Sequence, residues 1–204
     1  MNYLVGGWVW CRLEEAGLFE RGKSKHRPRN DEILFSKGKY PFVQTGDVAR
    51  SKRYNYQIKT FAKKYNDFGL LQSRLWKKGT LCMTIAANIA ETGFLDIDAC
   101  FPDSVVGFTP LSDKEMSIYV KYYIDVTRDE IEKFAPATAQ KNINLGIINM
   151  LSFPLPPLQE QKAIVAKVEK LLTLCDQLET QITHNQTHAE QLMQAVLKEA
   201  FSQA

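Results

Sequence analysis

Between residues 23 and 29 the chain sets Lys23, Lys25, His26, Arg27 and Arg29 around Pro28. Cations at that density suit nucleic-acid phosphates, whose contacts supply position and salt-dependent affinity. Arg50, Lys52 and Arg53 continue the basic character, with Tyr54 beside them. Reading bases takes amides, hydroxyls and guanidinium groups. Gln44 offers an acceptor and donors that match adenine, and Thr45 a hydroxyl or a methyl. Thr84, at the end of a buried strand, and Asn88, in the loop after it, are expected to line the same groove. The same cations also aid solubility, and Gln44 and Asn88 equally suit turn-stabilising hydrogen bonds.

Signals for catalysis are missing. No G-x-S-x-G, H-E-x-x-H, Walker or G-x-G-x-x-G pattern occurs. A base-methylating domain would need a cofactor-binding glycine loop and an Asn/Asp-Pro-Pro-Tyr type motif, and neither is present. Asp96 and Asp98 stand on an alternating stretch with no flanking lysine and read as solvent-facing rather than nucleolytic. His184 and His188 share a helix face at i, i+4 spacing but lack a third ligand, so no metal is expected. Cys11, Cys82, Cys100 and Cys175 show no C-x-x-C spacing and read as reduced thiols of a cytoplasmic protein. The candidate list therefore describes a binding protein with no catalytic residue, no metal and no cofactor of its own.

Net charge is +3, but from residue 21 to 78 there are 16 Lys/Arg against 4 Asp/Glu, a local balance of +12. From Leu158 onward 4 basic and 6 acidic residues give −2. A polyanion would thus meet the first half and not the last quarter. No apolar run reaches the roughly 18 residues that span a bilayer. Residues 1–10 are apolar but lack the basic flank and cleavage site of a signal peptide.

The elements that must carry these residues read as follows. Trp8, Val9, Trp10, Leu13 and Leu18 are expected to fix the amino terminus onto the core. Residues 21–30 are too polar and too broken by Gly and Pro for regular structure, and read as a flexible basic loop. Residues 40–43 suit a short strand and 44–47 a turn, with Gly46 available for positive φ. Residues 58–65 and 70–76 are ambiguous, with a helix expected around 67–76. Residues 80–85 form a buried strand, 94–100 alternate weakly, and 104–108 form a second apolar strand. Residues 117–126 suit helix or strand, helix preferred, with another helix near 128–134. Strands and helices mixed without βαβ regularity predict an α+β domain over residues 1–153.

The last quarter is different in kind. Residues 154–157 are Pro-Leu-Pro-Pro, which excludes helix and central strand, and Pro157 suits a first helical position. From Leu158 to the end there is neither Pro nor Gly. Ile164, Val168, Leu171, Cys175, Leu178, Ile182, Asn185, Ala189, Leu192 and Val196 alternate steps of four and three. That seam seeks another helix, and the single polar member, Asn185, favours one register. Residues 158–204 are therefore expected to be a spacer or dimerisation helix that makes the particle elongated, with a junction at 154–157.

The run from Pro154 to Glu179, PLPPLQEQKAIVAKVEKLLTLCDQLE, resembles the conserved region of the specificity (S) subunit of type I DNA restriction-modification enzymes. Residues 137–144 (ATAQKNIN) and 40–48 (YPFVQTGDV) are similar to that family as well. The resemblance implies a target recognition domain that reads one half of a bipartite site in double-stranded DNA, followed by a spacer helix. It implies a non-catalytic subunit that docks modification (methyltransferase) subunits and restriction subunits. S-adenosylmethionine, ATP and Mg²⁺ belong to those partners. Family members usually carry two recognition domains and two helices packed antiparallel; this chain carries one of each, which points to a helix-mediated homodimer or a second half-subunit. The basic face would also attract acidic DNA-mimicking anti-restriction proteins of phages. The alternative is a small DNA-acting enzyme, a nuclease or methyltransferase fragment, with a helical oligomerisation tail.

Overall fold

The computed structural model describes residues 6–135 and 142–202, and the chain divides into two compact units, Met1–Gln161 and Lys162–Ala204. The first is an α+β domain. Its strands are β1 (Val9–Arg12), β2 (Gly17–Arg21), β3 (Tyr40–Phe42), β4 (Gln57–Ile58), β5 (Lys63–Tyr65), β6 (Leu81–Thr84), β7 (Thr92–Leu95), β8 (Val105–Pro110) and β9 (Ser152–Leu155). Between them run α1 (Thr45–Arg50), α2 (Asp67–Leu71), α3 (Lys114–Val126), α4 (Arg128–Lys133) and α5 (Leu145–Asn149). The long helix α6 (Leu158–Ser202) follows.

A five-stranded sheet in the order β2-β8-β6-β7-β4 forms the centre, antiparallel except where β4 runs parallel to β7. All four residues of β6 are buried, as a continuous apolar run between two neighbours requires. Because side chains alternate, Cys82, Gly93, Val105 and Gly107 share one face. There Trp76 stacks on Phe101 with centroids 4.8 Å apart, in a cluster with Val43, Val48, Ile58 and Leu95. The opposite face carries Thr92, whose hydroxyl donates to Asp125 of α3 at 2.8 Å. Residues 117–126 take the helical alternative because Met116, Val120 and Ile124 recur at four-residue steps and are buried.

Two local expectations change. Residues 44–47 are the start of α1 rather than a turn: the Asp47 carboxylate accepts from the Gln44 N–H at 2.8 Å, and Gly46 keeps a negative φ. The amino terminus is held less by its large side chains than by backbone. Trp10 and Leu18 are exposed, whereas Leu13 is buried, its N–H donates to Leu151 O at 3.0 Å, and β1 pairs with β9. Pro154 is in neither helix nor central strand, as expected: it sits in β9, in a two-stranded sheet where a missing donor is tolerated. Tyr119 and Tyr123 of α3 donate to Pro154 O and Ser152 O at 2.9 and 2.7 Å, with Phe153 buried between the rings. Gln161 then donates to Pro156 O at 2.9 Å, which ties the first turn of α6 to the proline run.

Asn144 caps α5 by accepting from Gly146 N–H at 3.0 Å. The rest of the motif at 137–141 lies outside the described residues, as do residues 1–5 of the apolar start. No helix among the described residues is long and apolar enough to cross a membrane.

Packing leaves no room for a side chain at Gly107, where an added Cβ would lie 2.5 Å from the Trp76 ring. Gly107→Ala is expected to lower unfolding stability by about 1–3 kcal/mol through overpacking. Denaturant unfolding with an unchanged m-value is the measurement that checks it.

Candidate nucleic-acid interface

The segment at residues 22–31 leaves β2 at Gly22, where a Cβ would meet the carbonyl oxygens of Phe101 and Pro102 at 2.2 and 2.5 Å. Only glycine lets the chain pass that close. Beyond it the loop is fixed rather than flexible, which corrects the expectation from composition. Lys25 N–H donates to Gln72 O at 3.1 Å, Ser73 Oγ to Lys23 O at 2.7 Å, and Ser24 Oγ meets the Tyr65 hydroxyl at 3.3 Å. Arg27 turns back on its own loop, donating to Ser24 O at 2.5 Å and His26 O at 2.9 Å. His26 pairs with Asp31 at 2.9 Å and holds its carboxyl below the usual carboxylate range. Arg29 pairs with Asp103 at 2.6 Å, both half-exposed. Lys23 and Lys25 are exposed, and among the described residues they have no ion-pair partner.

Gln44 and Thr45 open α1, Gln44 exposed and Thr45 half-buried. Val43 N–H donates to Cys100 O at 2.8 Å, so this helix start and the basic loop are both anchored on residues 100–103. Arg50 pairs with the buried Asp47 one turn before it. The helix runs into a 3-10 turn, Ser51–Tyr54, which carries Lys52 and Arg53.

A second group forms where that turn meets the loop at residues 85–91. Lys52 Nζ lies 3.0 Å from Glu91 Oε2, and Arg128 Nη1 lies 2.7 Å from Glu91 Oε1. Asp125 takes Lys121 at 2.8 Å and the Thr92 hydroxyl at 2.8 Å. Burial pushes the Lys121 ammonium pKa down, with Asp125 opposing, and its Nζ sits 3.2 Å from the Tyr56 ring centroid. Among the described residues five positions other than glycine have positive φ, and four are here: Asn55, Tyr56, Ala87 and Ala90 at +51°, +59°, +64° and +57°. Such conformations cost about 1–3 kcal/mol each and persist where surroundings over-determine them. Asn88, at the loop tip, is exposed.

Thr84 does not line a groove. It is 0% exposed, and its hydroxyl donates to Asn88 O while accepting from Glu91 N–H at 3.0 Å. A hydroxyl ending a sealed strand must bond to protein, so its role is to shape the loop. Asp96 and Asp98 are partly exposed and ion-paired: Lys78 Nζ reaches Asp96 at 2.7 Å and holds its carboxyl pKa down, and the Lys78 N–H, with Lys77 Nζ at 2.9 Å, does the same for Asp98. No group among the described residues could hold a metal ion.

Sequence reasoning missed Asn55, Glu91, Arg128, Lys121 and Asp125. Asn55 had a signal, since asparagine tolerates the left-handed region that ends a helical turn. Lys121 and Asp125 had one too, the i, i+4 spacing of a helical ion pair, whereas Glu91 meets Lys52 and Arg128 only by tertiary contact. On α6, Leu171, Leu178, Ile182, Leu192 and Val196 are between 49% and 64% exposed, and Cys175, Asn185 and Ala189 are exposed too. Ile164 and Val168 are half-buried. Leu172, Leu174, Met193 and Leu197 widen the stripe beyond a strict seam. His184 and His188 are exposed, ring centroids 6.4 Å apart.

The family model described as Type I restriction modification DNA specificity domain matches residues 7–185. Over 93 residues the chain is 34% identical to the type I restriction enzyme StySPI specificity subunit of Salmonella potsdam, covering 44% of this chain and 20% of that protein. Over 129 residues it is 25% identical to the EcoBI specificity subunit of Escherichia coli, covering 61% and 27%. The fold is similar to a chain solved in work on complex assembly and conformational transition of the type I R-M system, with TM-score 0.75, 20% identity and coverage of 98% and 47%. It is also similar to the HsdS subunit from Thermoanaerobacter tengcongensis, with TM-score 0.65, 19% identity and coverage of 88% and 40%. The chain thus spans less than half the length of each of these proteins.

Replacing Thr84 by Val keeps the volume but leaves the Glu91 N–H and Asn88 carbonyl without their partner. A loss of about 1–3 kcal/mol is expected, with Thr84→Ser close to wild type, measured by chemical denaturation.

Proposed function

Because the chain belongs to the type I restriction modification DNA specificity family, we propose that its α+β domain reads one half of a bipartite target in double-stranded DNA. The observation that carries this reading is the fixed loop that holds Lys23 and Lys25 out to solvent without acidic partners, beside the exposed Gln44 at the head of α1. A phosphate can take up such cations without first breaking an ion pair. Arg29 has a carboxylate partner, but such an exposed pair is worth about 0–1 kcal/mol and exchanges readily for phosphate. Arg27 and His26 hold the loop in shape. The chain performs no chemistry itself and binds no cofactor. It carries methyltransferase subunits to DNA, and restriction subunits with them, in the cytoplasm. S-adenosylmethionine, ATP and Mg²⁺ act on those partners. Acidic phage proteins that copy the phosphate array would compete for the same cations.

Helix α6 supplies the spacing. Its 45 residues span about 68 Å at 1.5 Å per residue. Burying one exposed seam side chain fully is worth roughly 1.5–3 kcal/mol, which favours pairing over solvation. Thr173, Thr180, Thr183 and Thr187 return their hydroxyls to carbonyls four residues back, so covering this helix would strand no threonine. Two copies related by a two-fold axis would pair α6 antiparallel and present two recognition domains to a symmetric target.

Lys23→Ala together with Lys25→Ala is expected to weaken binding of the assembled methylase to all duplexes about equally. The slope of log affinity against log salt should shrink by about 0.9 for each lost phosphate contact. Unchanged affinity and slope would place the DNA on another surface. In sedimentation equilibrium at tens of micromolar the isolated chain is expected above its 23.3 kDa monomer mass. Leu178→Asp should return it to monomer by putting an unpaired charge mid-seam.

A further inference from the structure

The 3-10 turn Ser51–Tyr54 and the loop at residues 85–91 are far apart in sequence, yet one carboxylate ties them together. Glu91 takes Lys52 of the turn and Arg128 at the head of α4. Ser51 Oγ adds a bond to Thr92 O at 3.2 Å. Asn55 and Tyr56, directly after the turn, and Ala87 and Ala90 in the loop all take left-handed backbone, so strain gathers at this junction. Left-handed residues also end helical turns and close hairpins, so what singles this junction out is the side chains it carries. They are unusual for a surface so rich in ion pairs. Arg53, Asn55 and Asn88 are all exposed, and among the described residues none has a hydrogen-bond or ion-pair partner. Guanidinium and carboxamide groups are the chemistry that reads guanine and adenine edges in the major groove.

We infer that this junction is the base-reading surface of the domain: Arg53, Asn55 and Asn88 contact base edges of double-stranded DNA, and Glu91 is the positioning residue that holds the two segments in register. The inference rests on the DNA-recognition reading above and divides its labour. Lys23 and Lys25 supply affinity common to all sequences, while the junction supplies discrimination. Asn88 contributes only its backbone carbonyl to the fold, so its side chain is free to specify.

The test is selection from a randomised DNA duplex library by the full chain assembled with its modification subunits. Wild type is expected to select a preferred sequence, and selecting none would overturn the DNA-recognition reading and this one with it. Asn88→Ala and Arg53→Ala should each lose discrimination at one or two base pairs by about 5- to 150-fold, with the other positions unchanged. Glu91→Gln should blur the same base pairs as Asn88→Ala, and Glu91→Asp should restore them. If wild type selects a sequence while Asn88→Ala and Arg53→Ala keep it intact, the reading surface lies elsewhere and DNA recognition itself still stands. A Glu91→Gln protein that melts earlier but keeps full discrimination would reduce Glu91 to a structural role and overturn its assignment.

Discussion

A strand with every side chain out of water leaves its last residue no solvent to bond with. Thr84 ends such a strand, and an unpaired hydroxyl there would forfeit a hydrogen bond in a medium where nothing else can supply it. It finds the carbonyl of Asn88 and the N–H of Glu91, and that pair of bonds bends the next residues into their left-handed path. Glu91 is then delivered to Lys52 and Arg128, and through them the loop is joined to α1 and α4. The chemistry proposed at the surface descends from a satisfaction requirement inside the sheet.

The electrostatics show how little a charge count says about a face. A segment with a formal +12 spends much of that charge internally. Arg27 is bonded to backbone carbonyls, Arg29 and Lys52 to carboxylates, and Lys77 and Lys78 to Asp98 and Asp96. What remains for a partner is a long-range positive field plus a few unpaired cations at the rim. The field steers approach, whereas local geometry decides where contact is made.

Helix α6 obeys the opposite logic. Its apolar heptads are legible without any fold, and its surface carries the consequence in full view: large aliphatic side chains half in water or more. The proline run before it is no idle spacer. Tyr119 and Tyr123 grip β9 from α3, and Gln161 closes the first helical turn onto Pro156. That explains why proline and glutamine stand so close together in this motif.

Periodicity and residue type were sufficient for much of this. The apolar run of β6, the helical steps of α3 and the apolar heptads of α6 were all readable, because each is a property of neighbours along the chain. Family resemblance was readable too, since it rests on short contiguous stretches at 40–48, 137–144 and 154–179. What the chain alone left open was pairing across distance. Thr84 was a DNA contact by its type and became a buried brace because its neighbours closed over it. Residues 44–47 passed for a turn, since their composition suits either, until Asp47 reached back to the Gln44 N–H and made them a helix start. The pairs of Glu91 with Lys52 and Arg128 carry no mark in sequence, because ion pairs between residues tens of positions apart exist only after the sheet has brought their backbones together. Local propensity acts over a few residues, but burial and charge pairing act through space, so only the tertiary structure could decide which polar groups brace the fold and which are left to read a partner.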